Sequence, residues 1–67
     1  MNPKKYTLVT PIGIPVASFN RLERAFDAAQ EINPTHDKYK DVIDEMEQDG
    51  DVLLDNGFSI YKNGSNS

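Results

Sequence analysis

The fold of this chain is organised around the sequence YKDVIDEMEQDGDVLLD, residues 39–55. Apolar residues recur at helical spacing in its first part, at Tyr39, Val42, Ile43 and Met46. Gly50 is a natural left-handed terminator for such a helix, and the residues after it favour a strand. We therefore expect an acidic amphipathic helix that runs through Gly50 into a strand.

A first helix is predicted upstream of this segment. Asn20 and Glu23 fit a capping box at its start. Its apolar stripe consists of Leu22, Ala25, Phe26, Ala29 and Ile32. Asn33 ends the helix because the residue before Pro34 is driven out of the α region. The second helix then begins with either Asn33 or Thr35 as its N-cap.

Two β-hairpins are predicted to flank the helices. Residues 6–10 and 14–19 favour strands around a Pro-Gly turn, and Pro15 favours an edge position for the second strand. In residues 51–62, Asn56-Gly57 is the strongest turn signal. A two-residue loop at that point places Leu53 opposite Ile60, whereas a longer loop shifts the register.

These elements predict one α+β domain, residues 1–67, in the order ββααββ, with a four-stranded antiparallel sheet and two helices packed on one face. Residues 1–5 and 63–67 are expected to be frayed. The core is expected to contain Leu8, Val16, Leu22, Phe26, Ala29, Ile32, Val42, Ile43, Met46, Leu53 and Ile60, with Phe19 and Phe58 near its edge. So small a domain has modest stability.

The composition argues against an enzyme. The chain has no cysteine, which removes disulfides and thiolate metal sites. The only histidine, His36, lies beside Asp37 and far in sequence from any serine that it might activate. No glycine-rich phosphate loop follows a strand. A calcium loop with Gly50 at its sixth position has Asn56 where a bidentate carboxylate is required. We expect no catalytic residue, cofactor or metal.

Charge is concentrated in one part of the chain. Residues 41–55 contain seven of the eleven acids and no lysine or arginine, so the net charge of -4 is about -7 there and +3 elsewhere. Like charges four residues apart, and acids at a helix C-terminus, are locally unfavourable. The acids predicted to bind a partner are Asp37, Asp41, Asp44 and Glu45 on one side of the second helix, and Glu47, Asp49 and Asp51 around its C-terminal end. The alternative is a solvated face that keeps a small protein soluble.

Acids displayed in this way favour a basic protein partner. Helical acids three or four residues apart stand about 5 to 6 Å from each other, comparable with phosphates along a strand, so the partner is expected to be a nucleic-acid-binding protein. In size, charge and composition the chain is similar to the inhibitors that phages and mobile elements direct against host nucleases, polymerases and restriction or CRISPR complexes. That resemblance implies a nucleic-acid mimic with an anti-defence role.

We therefore predict a non-enzymatic cytoplasmic inhibitor of a basic nucleic-acid-handling protein. An isoelectric point near 4.6 argues against direct binding to nucleic acid. No segment approaches the roughly 20 apolar residues that a membrane span needs. The alternative function is a regulatory or scaffolding module that self-associates, as a homodimer, through an apolar sheet face.

Overall fold

The elements follow one another in the predicted order ββααββ. The computed structural model describes residues 5–63. Its elements are β1 (Tyr6–Val9), β2 (Pro15–Phe19), α1 (Leu22–Ile32), α2 (Tyr39–Asp49), β3 (Asp51–Leu53) and β4 (Ser59–Lys62). The strands form one antiparallel sheet in the order β2-β1-β4-β3, and both helices pack on one of its faces. The predicted α+β fold, with β2 as an edge strand, is confirmed.

The first and last strands join the two hairpins at the centre of the sheet. In this pair Leu8 lies opposite Ile60. The main-chain N–H of Lys5 donates to the carbonyl of Phe19 at 3.0 Å, and the N–H of Asn63 donates to the carbonyl of Lys5 at 2.7 Å. Lys5 and Asn63, which were expected to be frayed, are therefore hydrogen-bonded at the end of the sheet. The rest of that prediction, on residues 1–4 and 64–67, lies outside the described residues.

The second hairpin has a longer loop than the two-residue turn. The N–H of Leu54 donates to the carbonyl of Phe58 at 2.7 Å, and the N–H of Gly57 donates to the carbonyl of Leu54 at 3.0 Å. These bonds enclose a three-residue loop with Gly57 in the left-handed position, at φ 95°. The longer-loop alternative is therefore correct.

The loop shifts the pairing of β3 and β4 by one residue relative to the two-residue turn. Val52 lies opposite Ile60, and Leu53 lies opposite Ser59. Because successive strand residues face opposite sides, Val52 enters the core and Leu53, which is 67% exposed, lies on the uncovered face of the sheet. The predicted pairing of Leu53 with Ile60 is wrong.

One hydrophobic core lies between the sheet and the helices. Its buried residues are Leu8, Leu22, Ala25, Phe26, Ala29, Val42, Met46, Val52, Leu54, Phe58 and Ile60, with Ile43 and Phe19 packed against it. Phe58 is inside the core and not at its edge. Three residues predicted to be buried are exposed: Val16 lies on the edge strand, Ile32 at the last residue of α1, and Leu53 on the uncovered sheet face.

Both helices begin without the side-chain caps that the sequence predicts. The N-cap of α1 is Arg21 and that of α2 is Lys38, and neither makes a side-chain cap hydrogen bond. Asn33 and Thr35 belong instead to a loop, residues 33–38, which hydrogen-bonds to the second hairpin. The helix ends are as predicted: Asn33 follows α1, and Gly50 closes α2 at φ 79° with its N–H on the carbonyl of Met46.

Replacing Gly57 with alanine is expected to lower the free energy of unfolding by about 2 to 3 kcal/mol. A Cβ at this position would combine a positive φ with contacts of 3.0 and 3.2 Å to the Pro11 side chain. Gly13 is the matched control, because it has a similar φ of 89° in the first hairpin loop and nothing within 4 Å. Gly13→Ala should cost only about 1 kcal/mol of strain. Urea unfolding of both variants measures the difference, and equal losses would contradict the contact with Pro11.

Candidate functional site

The outer side of α2 carries most of the predicted binding residues. Val42 and Met46 on the inner side are buried, and α2 packs against β3. The exposed side presents Asp41, Asp44, Glu45 and Glu47, which we call the acidic face. Within residues 5–63, none of these carboxylates has a hydrogen bond or an ion pair with another residue. Four negative charges therefore face solvent without a partner.

The last turn of α2 contains no basic residue to offset the helix dipole or these acids. Lys40 is the nearest cation along the helix, four residues before Asp44 and exposed. No ion pair joins the two side chains. Lys40 is not among the predicted site residues, although its helical spacing from Asp44 places it at the rim of the acidic face. The positive charge there limits the negative surface at the N-terminal end of α2.

Asp49 and Asp51 extend the negative surface around the corner at Gly50. Asp49 is the last residue of α2, and Asp51 is the first residue of β3; both are exposed. Asp51 lies opposite Tyr61 in the sheet, on the face that the helices leave uncovered. The predicted set is thus divided between the outer side of α2 and the edge of the sheet.

Asp37 does not lie on α2, where the sequence analysis placed it, because the helix begins at Tyr39. Its carboxylate accepts a hydrogen bond from the Thr35 hydroxyl at 2.6 Å and another from the main-chain N–H of Asp55. It joins the loop before α2 to the second hairpin. We assign Asp37 a structural role, because its Oδ2 accepts both of these hydrogen bonds from within the chain.

Replacing Asp37 with alanine is expected to lower the free energy of unfolding by about 1 to 2 kcal/mol, because the N–H of Asp55 loses its acceptor. Asp44→Ala is the matched control, since that carboxylate is exposed and has no partner within residues 5–63. The control should be as stable as the wild-type chain. Urea midpoints of the two variants test this assignment, which fails if both variants unfold at the wild-type midpoint.

Asn56 is a second structural residue, with contacts beyond the turn that its sequence predicts. Its side-chain amide donates to the carbonyls of Ala29 and Asn33 at the end of α1. Its amide oxygen accepts from the N–H of Phe58 at 3.0 Å. One side chain therefore shapes the hairpin loop and caps α1, which explains why this loop has its particular length and position.

The side chains suited to catalysis or metal binding either lie far apart or already contact other residues of the chain. His36 is exposed and its Nδ1 lies 3.1 Å from a carboxylate oxygen of Asp55. The residues of the tested calcium loop before Gly50 are helical. Within residues 5–63, no three His, Asp or Glu residues converge on a metal position.

Burial raises the pKa of Tyr39, and the nearby carboxylate of Glu23 adds to the shift.

Two further surface features lie near the edge strand β2. Exposed apolar side chains are concentrated on the first hairpin, at Ile12, Ile14 and Val16. An open cleft of about 530 Å³ is lined by residues of both β2 and α1. Its lining includes Ser18 and Phe19 on the strand side. These features are at the opposite edge of the sheet from α2 and β3.

In comparisons with known proteins, no family model, curated protein or solved structure matches this chain. In residues 5–63, none of the helices has the length and apolar character needed to cross a membrane. The fold and the surface together define a small acidic α+β domain in which α2 presents four exposed carboxylates that have no partner within residues 5–63.

Proposed function

We propose that this protein is a non-enzymatic inhibitor that binds a basic nucleic-acid-handling protein through the acidic face. The supporting observation is that the acidic face is exposed and has no partner within residues 5–63. Glu47 stands in the last turn of α2, where the helix dipole disfavours negative charge. A basic surface on another protein would offset both the dipole and the mutual repulsion of these acids.

The spacing of the acids favours mimicry of a nucleic-acid backbone. Asp41 and Glu47 are separated by about 9 Å along the axis of α2, at about 1.5 Å per residue. Four charges over that length correspond to one per about 2 to 3 Å, close to the one per about 1.7 Å of duplex DNA. A groove that binds phosphates can therefore bind this helix, and the inhibitor would act by occupying that groove.

The proposal is tested by capture followed by competition. The immobilised chain is exposed to a nuclease-treated lysate of the source cell, and retained proteins are eluted with salt. A basic nucleic-acid-binding protein should be retained and should elute at moderate ionic strength, because exposed charge pairs are screened. Duplex DNA or RNA should then compete with the chain for that protein. Simultaneous binding of nucleic acid and chain would contradict groove occupancy.

A second candidate function is a scaffolding module that self-associates through its uncovered sheet face. It is favoured by the exposure of Leu53 and Tyr61 on that face. The patch is small, because Thr7, Ser59 and Asp51 share the face with them. Sedimentation of a Leu53→Lys variant tests this candidate, which requires loss of a wild-type oligomer.

A further inference from the structure

The edge strand β2 carries no charged side chain, and its protection against pairing with strands of other molecules is limited to Pro15 at its start and a register shift opposite β1. Natural sheets protect exposed edges with charges or by keeping the edge strand short. Residues 6–20 contain no charged side chain, and Ile12, at 80% exposure, and Val16, at 47%, face solvent. The opposite edge, β3, has three residues and begins with Asp51. Only one edge of this sheet is therefore open to pairing.

The ladder of hydrogen bonds shows which groups on β2 are free. Because Asn63 donates to Lys5, the odd-numbered residues of β1 bond to β4, and Tyr6 and Leu8 bond to β2. Their partners on β2 are Phe19 and Ala17. Ser18, which lies between those two partners, directs its main-chain groups towards the open edge, and Val16 lies at the register shift between Ala17 and Pro15.

The cleft beside β2 has a charge pattern that reverses along α1. Its lining on that helix includes Arg24 near the N-terminal end, Ala28 in the middle and Glu31 near the C-terminal end. Arg24 and Glu31 are about 10 Å apart along the axis, on either side of the helix midpoint. A second α1 that runs antiparallel beside the first would place each arginine opposite a glutamate. The two ends of such a pattern are complementary to each other, and Asp27, at the helix midpoint, would lie opposite Ala28 of the other copy.

We propose that two copies of this chain form a two-fold dimer by antiparallel pairing of their β2 strands. The two-fold axis of the dimer passes at Ala17, so that Ser18 of each copy pairs with Val16 of the other copy. The two four-stranded sheets then become one sheet of eight strands. Since α1 packs over both β1 and β2, the two α1 helices lie about two strand spacings apart, or roughly 10 Å. This matches the usual 8 to 10 Å between packed helices, and the small side chain of Ala28 permits it.

A second copy fits this edge for electrostatic reasons as well. An isologous interface needs a self-complementary surface, which the uncharged strand and the reversing charges of α1 supply. The acidic face lies over the opposite side of the sheet, because α2 packs on β3. Pairing through β2 therefore keeps the two acidic faces far apart and avoids their mutual repulsion. The dimer does not depend on the proposed inhibitory function.

Sedimentation equilibrium from low to several hundred micromolar provides the first test. The wild-type chain should associate from 7.5 kDa to a dimer. Val16→Lys should raise the dissociation constant by at least about tenfold, because lysine at an edge opposes strand pairing. Leu53→Lys, which adds the same charge on another exposed residue, should leave the dimer intact. A wild-type monomer at all concentrations, or dissociation by Leu53→Lys and not by Val16→Lys, would overturn the proposal.

Charge reversal within α1 tests the orientation of the two copies. Arg24→Glu and Glu31→Arg should each weaken the dimer, because each places like charges across the joined cleft. The double variant should regain most of the wild-type affinity, since it restores opposite charges in the antiparallel arrangement. Circular dichroism of each variant checks that the fold is retained. A double variant weaker than either single variant would exclude the proposed pairing of the helices.

Discussion

Neutralising the acidic face, with Asp41→Asn, Asp44→Asn, Glu45→Gln and Glu47→Gln in one chain, is expected to weaken binding to the basic partner by well over about tenfold. The loss should appear chiefly as slower association, because the four charges attract the partner before contact forms. The difference between the variant and the wild-type chain should shrink as salt is added, since exposed charges are screened within about 10 Å at 0.1 M.

Stability should not fall in this variant. The four side chains are exposed and unpaired within residues 5–63, and each like-charge pair that is removed relieves a few tenths of a kcal/mol, roughly. The melting temperature should therefore stay level or rise slightly. A variant that fails to fold would show that these side chains make contacts that the structure does not assign to them.

Binding is measured by passing the dissolved partner over the immobilised chain. Because the immobilised copies are fixed in place, dimerisation of the chain does not contribute to the signal. The control removes three acids from α1, with Glu23→Gln, Asp27→Asn and Glu31→Gln, which lowers the net negative charge without changing the acidic face. The control should retain most of the wild-type association rate. If both variants lose the same amount, net charge alone drives association, and the acidic face serves only solubility.

Replacing Ile60 with alanine is expected to be the most destabilising of the substitutions considered, at about 2 to 5 kcal/mol. Ile60 is 0% exposed and lies between Leu8 on β1 and Val52 on β3. Truncation leaves a cavity at the centre of the only core among the described residues. The whole domain is expected to have about 3 to 10 kcal/mol of stability, so this substitution should remove a large share of it.

The matched control for this prediction is Leu53→Ala, which removes a side chain of the same volume from the same hairpin. Because Leu53 is 67% exposed, we expect its loss to change the unfolding free energy by less than about 0.5 kcal/mol. Urea unfolding measured by circular dichroism distinguishes the two variants. A loss at Leu53 as large as that at Ile60 would mean that the hairpin follows the two-residue register, which places these two residues on the same face of the sheet.

The sequence by itself determined the element order, the edge position of β2, the ends of both helices and most of the core. Each of these follows from interactions between near neighbours along the chain. Helical spacing brings Val42 and Met46 to one side of α2, and Gly50 closes the helix because it accepts a positive φ. The same spacing correctly placed the acidic face on the exposed side of α2.

Only the tertiary structure decided the register of the second hairpin, the helix starts and the role of Asp37. These depend on partners distant in sequence. Asn56 bonds to carbonyls at the end of α1, which selects a three-residue loop over the two-residue turn favoured by its sequence. Asp37 bonds to Asp55, 18 residues away, which holds residues 33–38 in a loop and delays α2 to Tyr39. Local propensities differ by only about 1 kcal/mol, so a few such hydrogen bonds override them.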